Sequence, residues 1–332
     1  MASDAPPKRL GEFALIAKLF APLAAKEKGA FNLTDDAATL SVPAGHELVV
    51  TTDTLIEGVH FLHDDPPDLI AKKALRVNLS DLAAKGAKAQ TYLLALSLAS
   101  WADNDWLNRF SSGLADDQNR FGVTLIGGDT TATPGPLTLS ITAFGIIEAG
   151  RMLRRLGARP RDIVFVSGTV GDAGAGLAVL KGEGTGLSDF VRSALVSRYQ
   201  LPEPRLSLGR RLVGLASAAL DVSDGLLADL GHIAEVSGVK ITVDAARLPL
   251  SPATRAFWGT GTEAIVRAAT SGDDYEIAFT APASLRAKLE ALAGELGVEL
   301  HEIGRVDAGK GIVLADASGK PLPITRPGFT HF

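Results

Sequence analysis

Cysteine is absent from the 332-residue chain, which excludes disulfides, thiolate metal sites and cysteine nucleophiles but fixes no compartment. Long apolar runs are absent too. Nothing approaches the roughly 18 uncharged apolar residues of a membrane span, and the longest candidates, near 91–102 and 137–147, read as strands. The first residues offer no export signal: Glu12 and Lys18 interrupt the apolar stretch, and Asp4 and two prolines precede it. Phe13, Ile16, Ala17 and Phe20 follow one helix face instead. Positive charge is not in excess, with 33 Lys+Arg against 38 Asp+Glu and a net charge of -5, which argues against nucleic-acid binding by bulk charge. The expectation is a soluble, cytoplasmic protein with neither nucleic acid nor membrane as partner. The familiar nucleotide signatures are missing as well: no G-x-x-x-x-G-K-[ST], no G-x-G-x-x-G after a strand, and no protein-kinase motif.

What remains is a chain with 46% hydrophobic and 21% charged residues, too apolar for a disordered one. Its length suits two domains better than one. A strand over 48–52 ends at Asp53. Leu69, Leu75, Leu79 and Leu82 keep helical spacing up to Gly86. Tyr92, Leu94, Leu96 and Leu98 alternate as a strand with one buried face, and 123–126 and 137–147 add two more strands. A break falls near Gly150, before five arginines within 151–161. The second half restarts the pattern with strands at 163–166, 220–222, 241–243, 276–279 and 312–314. Its helices are expected over 171–180, 202–218 and 284–296, and after Ser223, where Leu226, Leu227, Leu230, Ile233 and Val236 form one stripe. The reading is α/β of the α+β type: two domains, 1–150 and 151–332, each of mixed sheet and helices.

Aspartates recur where apolar segments give way to small or hydroxyl residues. These sites are Thr34-Asp35-Asp36, Thr51-Thr52-Asp53-Thr54, Asn78-Leu79-Ser80-Asp81, Gly127-Gly128-Asp129-Thr130-Thr131, Asp221-Val222-Ser223-Asp224-Gly225 and Gly272-Asp273-Asp274-Tyr275. Two carboxylates about 4 Å apart repel by roughly 4 kcal/mol at an effective dielectric near 20. Several of them converging need cations, and with no cysteine and only 6 histidines the favoured cation is hard. Magnesium fits, because it takes one or two carboxylates and completes its octahedron with water and phosphate oxygens. Each site also has an ordinary reading. Asp53 and Asp129 could simply end strands, Ser223 and Asp224 suit the first turn of the following helix, Asp81 could be a solvated helix residue, and the His60–His63 spacing could be chance.

Taken in order, a set of segments carries a resemblance: Gly11-Glu12-Phe13, Asp35-Asp36-Ala37-Ala38, Thr52-Asp53-Thr54-Leu55, Glu57-Gly58-Val59-His60-Phe61, Asn78-Leu79-Ser80-Asp81, Gly127-Gly128-Asp129, Asp221-Val222-Ser223-Asp224 and Gly328-Phe329-Thr330-His331-Phe332. The chain resembles the thiamine-monophosphate kinases, within the superfamily of aminoimidazole ribonucleotide synthetase and selenophosphate synthetase. The resemblance implies ATP-dependent phosphorylation of thiamine monophosphate with ATP as co-substrate. It implies several Mg²⁺ ions held by Asp35, Thr51, Thr52, Asp53, Asp81, Asp129, Asp221 and Asp224. Gly128, Asp129, Arg155 and Ser223 would contact the nucleotide, and His60, Asp273 and Phe329 the thiamine phosphate. It also implies a homodimer whose N-terminal sheets pair. The family pattern has glycine where this chain has Thr34 and Arg161, and glutamate where it has Asp273. Two other readings stay open: another ATP-dependent synthetase of the superfamily, and a non-catalytic Mg²⁺-nucleotide sensor.

Overall fold

The computed structural model describes residues 9–330, so His331, Phe332 and the segment around Asp4 lie outside the described residues. Among the described residues there are ten strands and eleven α-helices, and they group into two compact units. The first takes residues up to Leu82 together with Lys88–Ala149; the second takes Ala83–Ala87 and the chain from Gly150 onward. Both units are mixed sheet and helix.

The first unit opens with α1 (Glu12–Leu15), a π-helical turn over Ile16–Phe20, and α2 (Ala21–Ala24). The wider turn rotates the apolar face, since i→i+5 bonds insert a residue into the repeat. Leu15, Leu19, Phe20 and Leu23 are buried, whereas Phe13 is 83% exposed. Of the face expected from Phe13, Ile16, Ala17 and Phe20, only Phe20 is buried. The sheet has β1 (His46–Ile56), β2 (Lys88–Leu98), β3 (Thr124–Ala132) and β4 (Thr138–Glu148), in the order β1-β4-β2-β3. Neighbours are antiparallel except β2 and β3. Tyr92, Leu94, Leu96 and Leu98 are all buried, as their alternation implies. β1 and β3 run further than expected, through Asp53 and Asp129, because the threonines on either side of Asp53 and those following Asp129 suit a pleated strand.

Two long helices, α3 (Pro67–Ala84) and α4 (Asn104–Phe121), complete this unit. Leu75, Leu79 and Leu82 of α3 are buried, and the chain turns where the Gly86 N–H donates to the Ala83 carbonyl. α4 begins where Asp103 accepts the Trp106 N–H and ends at left-handed Gly122. Gln118 of α4 ties the elements together. Its Oε1 accepts the Tyr92 hydroxyl and the Leu125 N–H, and its Nε2 donates to the Leu23 carbonyl. Arg76 and Asp117 form a buried ion pair between α3 and α4, with Nε 2.6 Å from the carboxylate.

The second unit has a six-stranded sheet of β5 (Asp162–Ser167), β6 (Ala218–Asp221), β7 (Lys240–Asp244), β8 (Ile277–Pro282), β9 (Leu300–Asp307) and β10 (Gly311–Ala315), ordered β10-β7-β9-β5-β8-β6. β10 and β7 are parallel, and the other pairs antiparallel. The helices are α5 (Asp172–Leu180), α6 (Asp189–Gln200), α7 (Leu206–Leu212), α8 (Leu226–Ser237), α9 (Pro252–Trp258), α10 (Thr262–Thr270) and α11 (Arg286–Leu296). Val164, Val166 and Leu220 cluster with Leu226, Leu230 and Ile233 of α8. Their neighbours of opposite parity, Ile163, Phe165 and Ala219, cluster with Leu208 and Leu212 of α7 and with Leu289 of α11. Both sheet faces are therefore covered. Phe165 and Phe279, partners in register, stack with centroids 5.2 Å apart.

Two expectations change here. The helix over 202–218 contracts to α7, because Pro202 and Pro204 hold the preceding residues extended. Val236 is 50% exposed, since the stripe of α8 ends at Ile233 as the helix approaches its left-handed Gly238. Arg161, where the family pattern has glycine, sits at φ 82. No helix among the described residues is long and apolar enough to cross a membrane.

Candidate functional site

Strand alternation sorts the candidate residues of the first unit. Thr52 lies opposite Thr142 on β4, and Thr54 opposite Ser140. Thr52 Oγ1 donates to the Ile141 carbonyl and bonds Thr142 Oγ1, both at 3.1 Å. Thr51 and Asp53 therefore point to the other face, toward α3. There Thr51 Oγ1 donates to Asp81 Oδ2 at 2.5 Å, and Asn78 Oδ1 accepts the Asp53 N–H at 3.1 Å. Asn78 is fully buried and donates back to the Ala74 carbonyl. Asn78 and Asp81 share one helix face by their spacing. The structure thus joins Thr51 to Asp81, sets the Asp53 backbone against Asn78 on the same helix, and turns the Thr52 hydroxyl the other way.

Asp129 is exposed on β3, in register with Ala95 of β2. Just before it the strand bulges at Ile126, since Tyr92 faces Leu125 but Leu93 faces Gly127. Such a bulge re-aims the side chains that follow. A Cβ on Gly128 would collide with the Leu94 carbonyl, so only glycine permits this approach of β3 to β2. Asp35 is exposed and accepts the Asp36 N–H; it follows a turn in which Phe31, Asn32 and Leu33 adopt φ of 50, 57 and 57.

His60 Nδ1 accepts the Ile56 N–H at 3.0 Å, and the His60 carbonyl accepts Lys73 Nζ at 2.9 Å. An accepting Nδ1 leaves the proton of a neutral ring on Nε2, making that nitrogen a donor. His63 instead pairs with Glu57 at 2.5 Å and lies edge-on to Trp101. The two histidines have separate partners.

In the second unit, α8 starts later than capping by Ser223 requires. Its N-cap is Gly225, which has no side chain to cap with. The cap comes from inside the helix: Asp229 Oδ2 accepts the N–H groups of Ser223, Asp224 and Gly225 at 3.0, 3.1 and 3.1 Å. Asp229 is 2% exposed. Burial, then the Asp224 charge, pushes its carboxyl up to about 7 against the pull of those N–H groups and of Arg155. Sequence reasoning missed Asp229. Its only signal is an acid four residues after the glycine that opens the helix.

The carbonyls of the same loop are engaged as well. Val222, Ser223 and Asp224 accept the N–H groups of Tyr275, Asp273 and Phe329, each at 2.8 Å. A Cβ on Gly272 would run into the Ser223 carbonyl, so the approach depends on glycine. Ser223, Asp224, Asp273 and Phe329 therefore meet on one loop, with Asp221 buried at the end of β6. Phe329 is 45% exposed, and the Arg326 guanidinium lies 6.0 Å from its ring centroid.

From 273 to 276 the chain alternates in role. Asp273 and Tyr275 adopt φ 69 and 50, and the Tyr275 hydroxyl donates to Asp273 Oδ1 at 3.2 Å. Asp274 and Glu276 are buried. Asp274 accepts the Gly171 and Ala173 N–H groups at the start of α5, at 2.6 and 3.2 Å. Glu276 accepts the Ser167 hydroxyl at 2.6 Å, Arg198 at 3.0 Å and Arg205 twice, at 2.6 and 2.5 Å. Burial holds the Asp274 carboxyl well above the usual range, opposed first by the Gly171 N–H.

Among the described residues no three His, Asp or Glu side chains gather closely enough to hold a metal ion. What each unit offers is one or two carboxylates with neighbouring hydroxyls, all hard oxygen donors. That set fits magnesium, which needs few protein carboxylates when phosphate oxygens and water complete its shell; it does not fit a soft metal.

Comparison with known proteins agrees with this architecture. Residues 34–147 match the family described as AIR synthase related protein, N-terminal domain, and residues 159–317 match the corresponding C-terminal domain. The thiamine-monophosphate kinase of Caulobacter vibrioides is 42% identical over 330 residues, covering 98% of this chain and 92% of that protein. The crystal structure of thiamine-monophosphate kinase from Stenotrophomonas maltophilia K279a gives a TM-score of 0.84 at 43% identity, over 94% of this chain and 98% of that one. The structure of AaThiL complexed with AMPPCP and TMP gives 0.77 at 31% identity, over 99% and 100%. The chain belongs to the AIR synthase related family and, within it, to the thiamine-monophosphate kinases.

Proposed function

We propose that the enzyme transfers the terminal phosphoryl group of ATP directly, in line, to the phosphate of thiamine monophosphate, giving thiamine diphosphate and ADP. One observation carries this reading: kinship over nearly the whole chain with thiamine-monophosphate kinases, one of which, AaThiL, is seen with AMPPCP and TMP. The acceptor is itself a phosphate, largely dianionic at neutral pH, so the reaction needs no strong base. The obstacle is repulsion between two anions. Magnesium, when bound, would neutralise the phosphate oxygens and align them.

The residues proposed to hold it are Asp35, Thr51, Thr52, Asp53, Asp81, Asp129, Asp221 and Asp224. Thr51 already presents its oxygen beside Asp81, whereas the Thr52 hydroxyl would have to exchange its β4 partners for an ion. Gly128 and Asp129, Arg155 and Ser223 would contact the nucleotide. His60 would donate from Nε2 to the acceptor phosphate, with Asp273 and Phe329 bordering the thiamine. Because Arg326 lies over one face of Phe329, a thiazolium cation would take the other, where a cation–π contact adds roughly 0.5–2 kcal/mol. We also read the enzyme as a cytoplasmic homodimer. β1 lies at the edge of its sheet, with Leu48 and Val50 exposed, and edges of this kind invite pairing.

Release of ADP, measured with ATP and Mg²⁺ with and without thiamine monophosphate, tests the reading. Release that depends on thiamine monophosphate is expected. Tight ATP binding without acceptor-dependent turnover would favour a nucleotide sensor, and turnover only with an aminoimidazole precursor would favour a synthetase.

A further inference from the structure

Asp229 belongs to none of the groups assigned above to magnesium, nucleotide or acceptor, yet its side chain reaches all three residues of the 223–225 loop. Its Oδ2 takes three consecutive N–H groups. The carbonyls of the first two of those residues, Ser223 and Asp224, take the N–H groups of Asp273 and Phe329. Ser223 and Asp224 are the proposed nucleotide and ion contacts, and Asp273 and Phe329 the proposed acceptor contacts. The peptide planes of the loop therefore carry Asp229 on their donor side and the acceptor segments on their acceptor side. If the N–H groups turn, the carbonyls turn with them, because each peptide unit is planar.

A loop that begins a helix usually has a cap at its own N-cap position. Here glycine occupies that position, so the N-cap residue itself supplies no side chain to fix the loop. Asp229 does so from one turn inside the helix, at 2% exposure, where its rotamer is held by packing. We infer that Asp229 is a positioning residue whose carboxylate sets the 223–225 loop so that nucleotide and acceptor contacts are held in register with one another. The inference rests on the functional reading given above for those four residues. It goes beyond that reading in making the two substrate sites depend on one buried acid assigned to neither.

The distinguishing signature is a joint effect on both Michaelis constants. Asp229→Asn keeps one oxygen able to accept but replaces the other with an NH2 donor that opposes the loop's N–H groups; Asp229→Ala removes the acceptor entirely. At a temperature where each variant is fully folded by circular dichroism, KM for ATP and KM for thiamine monophosphate should rise together. The rise should be at least tenfold in the alanine variant and smaller in the asparagine variant. Amide exchange at Ser223, Asp224 and Gly225 in the ligand-free protein should speed up in the same order. Asp162→Asn serves as the control. Asp162 is also buried and accepts a backbone N–H, from Arg159, so its loss should lower thermal stability without moving either KM.

Should Asp229→Ala not fold, Asp229→Asn alone decides. Unchanged KM values with faster exchange, or a change confined to one substrate, would overturn the inference. The functional reading fails differently: wild-type protein would then show no ADP release with thiamine monophosphate. In that event, binding of a non-hydrolysable ATP analogue, measured by calorimetry, takes the place of KM. Unaltered affinity in Asp229→Asn then overturns the inference, and weakened affinity upholds its nucleotide half.

Discussion

At the scale of single residues, Arg161 shows how a departure from the family pattern is felt in the backbone. Its φ of 82 is a left-handed value that glycine adopts freely and a side chain does not, and its N–H is committed to the Val306 carbonyl. Arg161→Gly should therefore raise unfolding stability by about 1 kcal/mol, net of glycine's greater freedom when unfolded. Urea titration checks it, and a fall in midpoint would show that the arginine side chain stabilises this turn. Asp274 gives a second prediction. Its folded-state carboxyl is raised above 3.8, so between that value and its folded pKa the native chain holds a proton that the unfolded chain has released. Stability from this group is thus lost as pH climbs above about 4. The difference in unfolding free energy between wild type and Asp274→Asn should shrink steadily over that range; a flat difference would mean Asp274 is ionised in the folded protein. The acids at 53, 81 and 224 stood out in the sequence as candidates because each sits in a distinctive string. Asp229 was not, since an acid in a first helical turn is ordinary and nothing local reveals that three N–H groups converge on it.

At the scale of elements, legibility followed regular apolar spacing. β2 was readable because it buries one alternating face, and α3 because its leucines keep helical spacing although the helix is buried on nearly every side. α4 was not read despite its cap at Asp103 and its left-handed Gly122. β9 buries only Ile303 and Val306 among charged neighbours, and α6 begins with Phe190 at 82% exposure, so neither has a clean period. The ends of β1 and β3 were set too early because the acids read as terminators, whereas cross-strand pairing carries both strands past them. The bulged end of β3 supports a third prediction. Gly128→Ala forces a methyl against the Leu94 carbonyl and should destabilise the protein by roughly 1–3 kcal/mol while displacing Asp129. Chemical denaturation and turnover should both report the loss. A variant with wild-type midpoint and rate would show that β3 yields without cost.

At the scale of the whole molecule, the two units were foreseeable from the restart of the strand–helix pattern. The short excursion of Ala83–Ala87 into the second unit was not, because a five-residue segment carries no compositional mark of its own. The proposed dimer belongs to this scale too. Val50, 53% exposed on the edge strand β1, is the position at which a charge would oppose edge pairing. Val50→Lys should shift sedimentation from dimer toward monomer with the fold retained. A wild-type sedimentation profile in that variant would move the interface elsewhere.

The alternation between 273 and 276 divides mutational tolerance by parity. Even-numbered positions are rivets, fastened to the start of α5 and to two arginines, while odd-numbered positions face outward and bond each other. A library randomised at 273 and 275 should stay folded and vary in which phosphorylated compounds it accepts. The same library at 274 and 276 should yield mostly insoluble protein. The segment is thus already laid out for retuning substrate choice without rebuilding the scaffold beneath it.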